Sequence, residues 1–149
     1  VAFAQQGGKV FGVCNGFQIL CESHLLPGAL LRNSNQQFVC QNTFIKDAAG
    51  QVYKIPIAHG EGRYHGSPEL LNQLQQNNQI IFTYCTEEGV VTDAANPNGS
   101  TLNIAGICNE NRNVFGMMPH PERACSAALN NTDGRAIFEQ LLMAGELVK

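Results

Sequence analysis

Two stretches of this sequence hold residue types that together could perform nucleophilic catalysis. The first is Gly12-Val13-Cys14-Asn15-Gly16-Phe17-Gln18. A Gly-x-nucleophile-x-Gly pattern between an apolar run and a helix-like run has the form of a nucleophile elbow, here with Cys in place of Ser. A thiol so placed stands at a helix N-terminus, where the dipole favours thiolate, and the backbone N–H of Asn15 lies where an oxyanion would form. The second stretch is Met117-Met118-Pro119-His120-Pro121-Glu122-Arg123. A thiolate nucleophile needs a base and a group that orients the base. His120, bracketed by prolines just after an apolar strand, is the candidate base. Glu122, two residues on, is the candidate acceptor from its imidazole, which gives a Cys14–His120–Glu122 triad. The plainer alternatives are a buried cysteine in a Gly-rich turn and a loop histidine packed between prolines. His24 falls at a helix C-terminus, where the dipole favours it. His59 and His65 flank Gly60-Glu61-Gly62, which reads as a Gly-rich ligand loop, with a metal site as the lesser alternative.

The elements that must position these residues are legible along the chain. Lys9 to Val13 reads as a buried strand and Gly16 to Leu25 as a helix stopped by Pro27-Gly28. Gln37 to Ile45 and Gln51 to Ile57 read as strands joined by a turn at Asp47-Ala48-Ala49-Gly50. Ser67-Pro68-Glu69 is a helix start, with Ser as N-cap and Pro at the first helical position. Ile80 to Cys85 is a further strand, and Ile104 to Cys108 with Val114 to Met118 form a hairpin. Thr132 or Asp133 caps a last helix to about Met143. The class is α/β with an antiparallel addition, in one domain over residues 1–149. Val1 to Gln6 reads as a helix tail leading straight into a buried strand. Such a strand needs neighbours on both sides, so either later strands flank it or part of the fold lies outside this sequence.

Composition narrows the class. The 149 residues suffice for one domain with an ordinary core. Charged residues are only 14%, and 27 Asn and Gln supply much of the polar surface. The net charge of −3 lacks the basic surplus of a nucleic-acid binder. No apolar run approaches the length of a membrane span, and the start shows no signal-peptide pattern. The six cysteines include no CxxC pair, which disfavours zinc and reads as mostly buried thiols in a reducing, cytoplasmic setting. The sequons at Asn98 and Asn130 carry no meaning there.

Gly-x-Cys-x-Gly-x-Gln at Cys14, followed by His120-Pro121-Glu122, resembles the class I (triad) glutamine amidotransferases. Three further segments, Phe11 to Leu20, Ile55 to Gly62, and Asn96 to Ser100 with Asn103 to Ile107, look like the small separate-chain glutaminase subunits of phosphoribosylformylglycinamidine synthases. The resemblance implies a flavodoxin-like sheet. It also implies that Cys14 attacks the glutamine side-chain amide, with His120 as acid and base and Glu122 orienting it. Asn15 would supply an oxyanion N–H, Gln18 would hold the substrate, and the backbone at His59, Gly60 and Glu61 would receive its α-amino and α-carboxylate groups. Ammonia would pass to a synthetase subunit, bridged by a small third subunit. ATP and Mg would sit on the synthetase and no cofactor on this chain, which has no Walker loop of its own.

Against that family, the elbow comes early. Family members place a strand and helix pair well ahead of the cysteine, including a loop that donates a second oxyanion N–H, and the turn at Asp47 to Gly50 is shorter than theirs. The chain therefore reads as an N-terminally incomplete domain. The competing readings are a catalytically impaired fragment that binds the synthetase, and a different Cys–His hydrolase such as a peptidase. Gln18 and the Ile55 to Gly62 segment speak against the peptidase.

Overall fold

The computed structural model describes residues 1–143. The reading of one domain over 1–149 therefore extends past them. Eight strands and four α-helices are present in this part: α1 (Ala2–Gln5), β1 (Val10–Val13), α2 (Asn15–Glu22), β2 (Ala29–Leu31), β3 (Val39–Asp47), β4 (Val52–His59), β5 (Arg63–His65), α3 (Pro68–Gln76), β6 (Ile80–Cys85), β7 (Ile104–Cys108), β8 (Val114–Met117) and α4 (Asp133–Met143). Six strands form one sheet in the order β1-β8-β7-β6-β3-β4, and β2 pairs with β5 in a small ribbon. The α/β class with an antiparallel addition holds. β1 runs parallel to β8, and the remaining neighbours in the sheet are antiparallel. Later strands do flank β1, but on one side only among the described residues.

Burial explains the layers. β7 and β8 are buried at every residue, as expected of strands covered on both faces. β4 alternates, with Tyr53, Ile55, Ile57 and His59 buried. On one face of the sheet, Ile45, Ile55, Ile57, Phe82 and Met117 join Ile137 and Leu141 of α4 in a core. On the other, Phe17 and Leu20 of α2 join Leu74 of α3, Tyr64 of β5 and Ile104, Ile107 and Val114 of the sheet.

The helix start at Ser67 and the turn at Asp47 hold as read from the sequence. The Ser67 hydroxyl accepts from Leu70 N at 3.2 Å, with Pro68 opening α3. Asp47 closes the β3–β4 turn: its Oδ1 accepts from the N–H groups of Ala49 and Gln51, both at 2.9 Å, and its Oδ2 from Tyr53 OH at 3.0 Å. α2 ends sooner than its apolar pattern suggested. His24 adopts a left-handed φ of 58°, with His24 N bonded to Cys21 O and Leu25 N to Leu20 O, both at 3.0 Å. That is a Schellman closure with His at the position glycine usually takes. The sequence reading missed β2 and β5, each three residues long.

The glycines of the elbow divide unequally. A Cβ on Gly12 would lie 2.6 Å from the carbonyl carbon and oxygen of Gly16, so only a bare Cα lets strand and helix pass this closely. Gly16 is the second glycine of the elbow pattern. A Cβ there meets nothing within 4 Å, so its own side-chain space is open, and its backbone is the surface that Gly12 must clear. Gly12→Ala is expected to destabilise the fold by about 1–3 kcal/mol, and Gly16→Ala to leave it unchanged or up to about 1 kcal/mol more stable. Denaturant unfolding of the two variants checks this.

Candidate active site

Parallel pairing of β1 with β8 places their C-terminal ends side by side, with Val13 opposite Met117. Cys14 leaves one strand and the loop bearing His120 leaves the other, so both arrive at the same end of the sheet. Cys14 N donates to Met117 O at 2.9 Å, and Cys14 O accepts from Phe17 N and Gln18 N at 3.0 and 3.2 Å. The residue itself sits at φ 53°, ψ −110°. For a non-glycine residue that is a strained conformation, worth on the order of 1–3 kcal/mol, and it persists where the surroundings over-determine it. The sheet curls so that β4, at its opposite edge, returns to β1: Cys14 Sγ lies 3.7 Å from Ala58 O.

The thiol is half-buried, and burial pushes its pKa up. The Asn15 N–H and the Arg123 guanidinium pull it down, while the Glu122 carboxylate pushes it up. The helix N-terminus therefore acts in the direction read from sequence, but desolvation outweighs it and the resting sulfur holds its proton. A base is required.

His120 is buried, and its Nδ1 lies 2.5 Å from Glu122 Oε1. Its backbone N–H is anchored on Pro56 O of β4 at 2.8 Å. With Nδ1 engaged by the carboxylate, Nε2 is the ring nitrogen left to act on a substrate. That Nε2 is the one fully buried side-chain nitrogen or oxygen without a partner among the described residues. A buried, unpaired imidazole nitrogen is costly to keep and needs an explanation. Glu122 also faces Arg123 Nε at 3.7 Å.

A cleft of about 510 Å³ opens here, lined by Cys14, Asn15, Gln18, His59, Gly60, Glu61 and His120, together with Val13, Phe38, Ala58, Met118 and Arg123. Seven of the eight residues singled out from sequence thus share one cavity wall, and the eighth, Glu122, stands behind His120. Gln18 Nε2 donates to Glu61 O at 3.1 Å and so ties α2 to the loop. A second cleft of about 510 Å³, between His24 to Gly28 and Asn109 to Asn111, contains none of these residues. Among the described residues no group of three or more His, Cys, Asp or Glu is arranged to hold a metal ion. All six cysteines are free thiols, with Cys21, Cys85 and Cys108 buried and Cys40 exposed.

Two functional-looking residues escaped the sequence reading as individuals. Asn33 and Asn98 are both 1% exposed, which also removes Asn98 as a glycosylation acceptor. Asn33 Nδ2 donates to His59 O at 2.8 Å and its Oδ1 accepts from Gly62 N at 3.0 Å. Asn98 Nδ2 donates to Gly62 O at 2.9 Å. His59 lies between them, with Nδ1 3.2 Å from Asn33 Oδ1 and Nε2 3.5 Å from Asn98 Nδ2. Asn33 Oδ1 can only accept, so Nδ1 carries the proton, and Nε2 is left to accept from Asn98.

A protonated His59 would turn a second N–H toward that amide. Burial lowers its pKa to about 4, its own backbone raises it somewhat, and the nearby His120 lowers it further. The unfolded chain takes up this proton near pH 6.5, the folded chain only near 4. Stability from this group is therefore complete above about pH 6.5 and is lost as pH falls through 4, by on the order of 2–3 kcal/mol. His59→Gln is expected to flatten that part of the stability–pH curve, measured by urea unfolding from pH 7 to 4.

Residues 1–141 match the family model of the CobB/CobQ-like glutamine amidotransferase domain. The chain is 54% identical to phosphoribosylformylglycinamidine synthase subunit PurQ of Chlorobium chlorochromatii (strain CaD3), over 95% of this chain and 65% of the relative. It is 50% identical to the same-named subunit of Salinibacter ruber (strain DSM 13855 / M31), again over 95% and 65%. A solved structure, PurLQS from Thermotoga maritima, superposes with a TM-score of 0.77 at 36% identity, covering 95% of this chain and 64% of that one. The chain thus spans about 65% of the length of the curated relatives it matches. An elbow cysteine, a histidine with its carboxylate and a family match over nearly all of its residues agree: this chain belongs to the CobB/CobQ-like glutamine amidotransferase domain family.

Proposed function

We propose that this chain is the triad-bearing part of the glutaminase subunit of a phosphoribosylformylglycinamidine synthase. It releases ammonia from glutamine through a thioester on Cys14, for the ATP-dependent fourth step of de novo purine synthesis. The observation that carries the reading is the orphaned, buried Nε2 of His120 in the cleft of the Cys14 thiol, with Nδ1 held by Glu122. The identity to PurQ subunits supports the choice of synthase.

The site geometry supports the following steps. Glutamine enters with its side-chain amide at Cys14. As Sγ bonds to the amide carbon, its proton moves to Nε2, and the carbonyl oxygen becomes an oxyanion near the Asn15 N–H. Glu122 stabilises the imidazolium so formed. The C–N bond then breaks, and Nε2 returns the proton to the leaving nitrogen, giving ammonia and a γ-glutamyl thioester. Water, losing a proton to Nε2, attacks the thioester. Glutamate departs and the proton returns to sulfur. In resting enzymes such hydrogen bonds often tighten only with substrate in place, which fits a thiol now turned to Ala58 O.

In the same proposal the ammonia passes to a synthetase subunit, where ATP and Mg are used, with a small bridging subunit between them. The complex works in the cytoplasm, and no helix of the described residues is long and apolar enough to cross a membrane. The Thermotoga maritima relative was solved as PurLQS, which supports a multi-subunit assembly. Acid quenching with labelled glutamine tests the chemistry. A glutamyl adduct on the peptide containing Cys14 is expected. Turnover with no adduct and no burst, or turnover that survives alkylation of Cys14, overturns it.

A further inference from the structure

Beside Cys14 and His120 the cleft is lined by His59, Gly60 and Glu61, which belong to a four-residue loop, His59 to Gly62, whose polar backbone groups are consumed in a particular pattern. His59 O and Gly60 O accept from Asn33, through Nδ2 at 2.8 Å and the backbone N–H at 2.9 Å. Glu61 O accepts from Gln18 Nε2, Gly62 N donates to Asn33 Oδ1 and Gly62 O accepts from Asn98 Nδ2. Beyond the His59 N–H, which belongs to β4, the groups left over are the N–H of Gly60 and that of Glu61, for which no protein acceptor is found among the described residues. Both residues line the cleft. Every carbonyl of the loop is thus tied back into the protein, and the unspent donors lie on the residues facing the substrate space.

His59 is the centre of this arrangement. Its ring is buried beneath the loop, and a Cβ on Gly62 would lie 2.4 Å from it. The ring bridges two side chains from distant parts of the chain, Asn33 before β3 and Asn98 after β6. Asn98 is in turn fixed by Ser100 N on its Oδ1 at 3.0 Å. A neutral imidazole is a donor on one nitrogen and an acceptor on the other, which is what an Asn oxygen and an Asn amide on opposite sides require.

We propose that His59, clamped between Asn33 and Asn98, is a positioning residue: it holds the Gly60–Glu61 segment so that two backbone N–H groups and the Glu61 side chain stay set for the amino-acid end of glutamine. This rests on the glutaminase reading. His59 takes no part in the proton transfers at Cys14, and its effect falls on binding of the substrate's α-carboxylate and α-ammonium groups. A rigid loop binds without first being ordered, so loosening it weakens ground-state and transition-state binding alike.

The test separates this role from simple folding. In the assembled synthase, His59→Leu fills the space but bonds neither asparagine, and His59→Gln restores a donor and an acceptor. Leu is expected to raise KM for glutamine about 10- to 100-fold with kcat within about threefold, and Gln to recover most of the loss. Alkylation of Cys14 by iodoacetamide, which needs no loop, is expected to stay within about twofold of the parent rate. Asn98→Ala, which removes the Nε2 partner and a Gly62 tether, is expected to raise KM in the same way and decides the matter where the Leu variant does not fold. A KM within about twofold of the parent in a folded Leu or Ala variant overturns the proposal, as does a fall in kcat and alkylation together with an unchanged KM. If the parent protein itself turns over no glutamine, the glutaminase reading has failed instead.

Discussion

Cys14→Ser is expected to cut glutamine hydrolysis by about 10⁴-fold or more and to leave the unfolding midpoint where it was. The two side chains differ by one atom, and a serine hydroxyl can still donate to Ala58 O, the present partner of the thiol. The elbow strain belongs to the backbone at φ 53° and is shared by both residues. What changes is the proton. Burial already holds the thiol above its ordinary pKa, and a hydroxyl in the same place is harder still to deprotonate with an imidazole. In a site built around a thiol, His120 would have to take the proton from a far weaker acid as the attack proceeds. Glutamate release and thermal unfolding measured on the same preparation check both halves. Retention of more than about 1% of the rate would place the nucleophile elsewhere.

His120→Leu is expected to cost about 10³–10⁴ in rate while shifting stability by less than about 1 kcal/mol. The reasoning starts from the orphaned Nε2. A buried imidazole nitrogen without a partner is a standing cost to the fold, and replacing it with an apolar group of similar size removes that cost. Set against it is the loss of the Nδ1–Glu122 bond, made to a carboxylate that is half exposed and keeps Arg123. The two effects oppose one another in stability and do not in catalysis. A variant that unfolds readily would show that His120 is there to hold the loop. Glu122→Gln belongs to the same argument. The amide can keep a hydrogen bond to Nδ1 but cannot stabilise an imidazolium, so a loss of about 10²–10⁴-fold is expected in kcat with little change in KM.

These expectations concern residues that local rules could find. The elbow is a pattern of five residues, and its steric logic at Gly12 is the close approach of Gly16. The cap at Ser67, the Asp47 turn and the alternation of β4 are likewise set by neighbours a few positions away. His120 and Glu122 are close enough in sequence to meet whatever the rest of the fold does. Fold class and the catalytic candidates were legible for that reason.

What lay beyond the sequence depends on contacts across the chain. β2 and β5 are too short to show a period of their own, and exist because Leu30 and Tyr64 find one another. The end of α2 was misjudged because a left-handed His24 gives no compositional warning where glycine is the usual sign. The curl that returns Ala58 to Cys14 sums the twist of six strands, which no single segment specifies. Asn33 and Asn98 were two among many amides, and an amide's value lies in which partners surround it, not in its spacing. His59 was read as part of a ligand loop by its neighbours in sequence. Its place as a neutral ring locked between two buried asparagines, 26 and 39 residues away, was decided by tertiary structure alone, because only packing brings together a donor, an acceptor and a dry site that makes both matter.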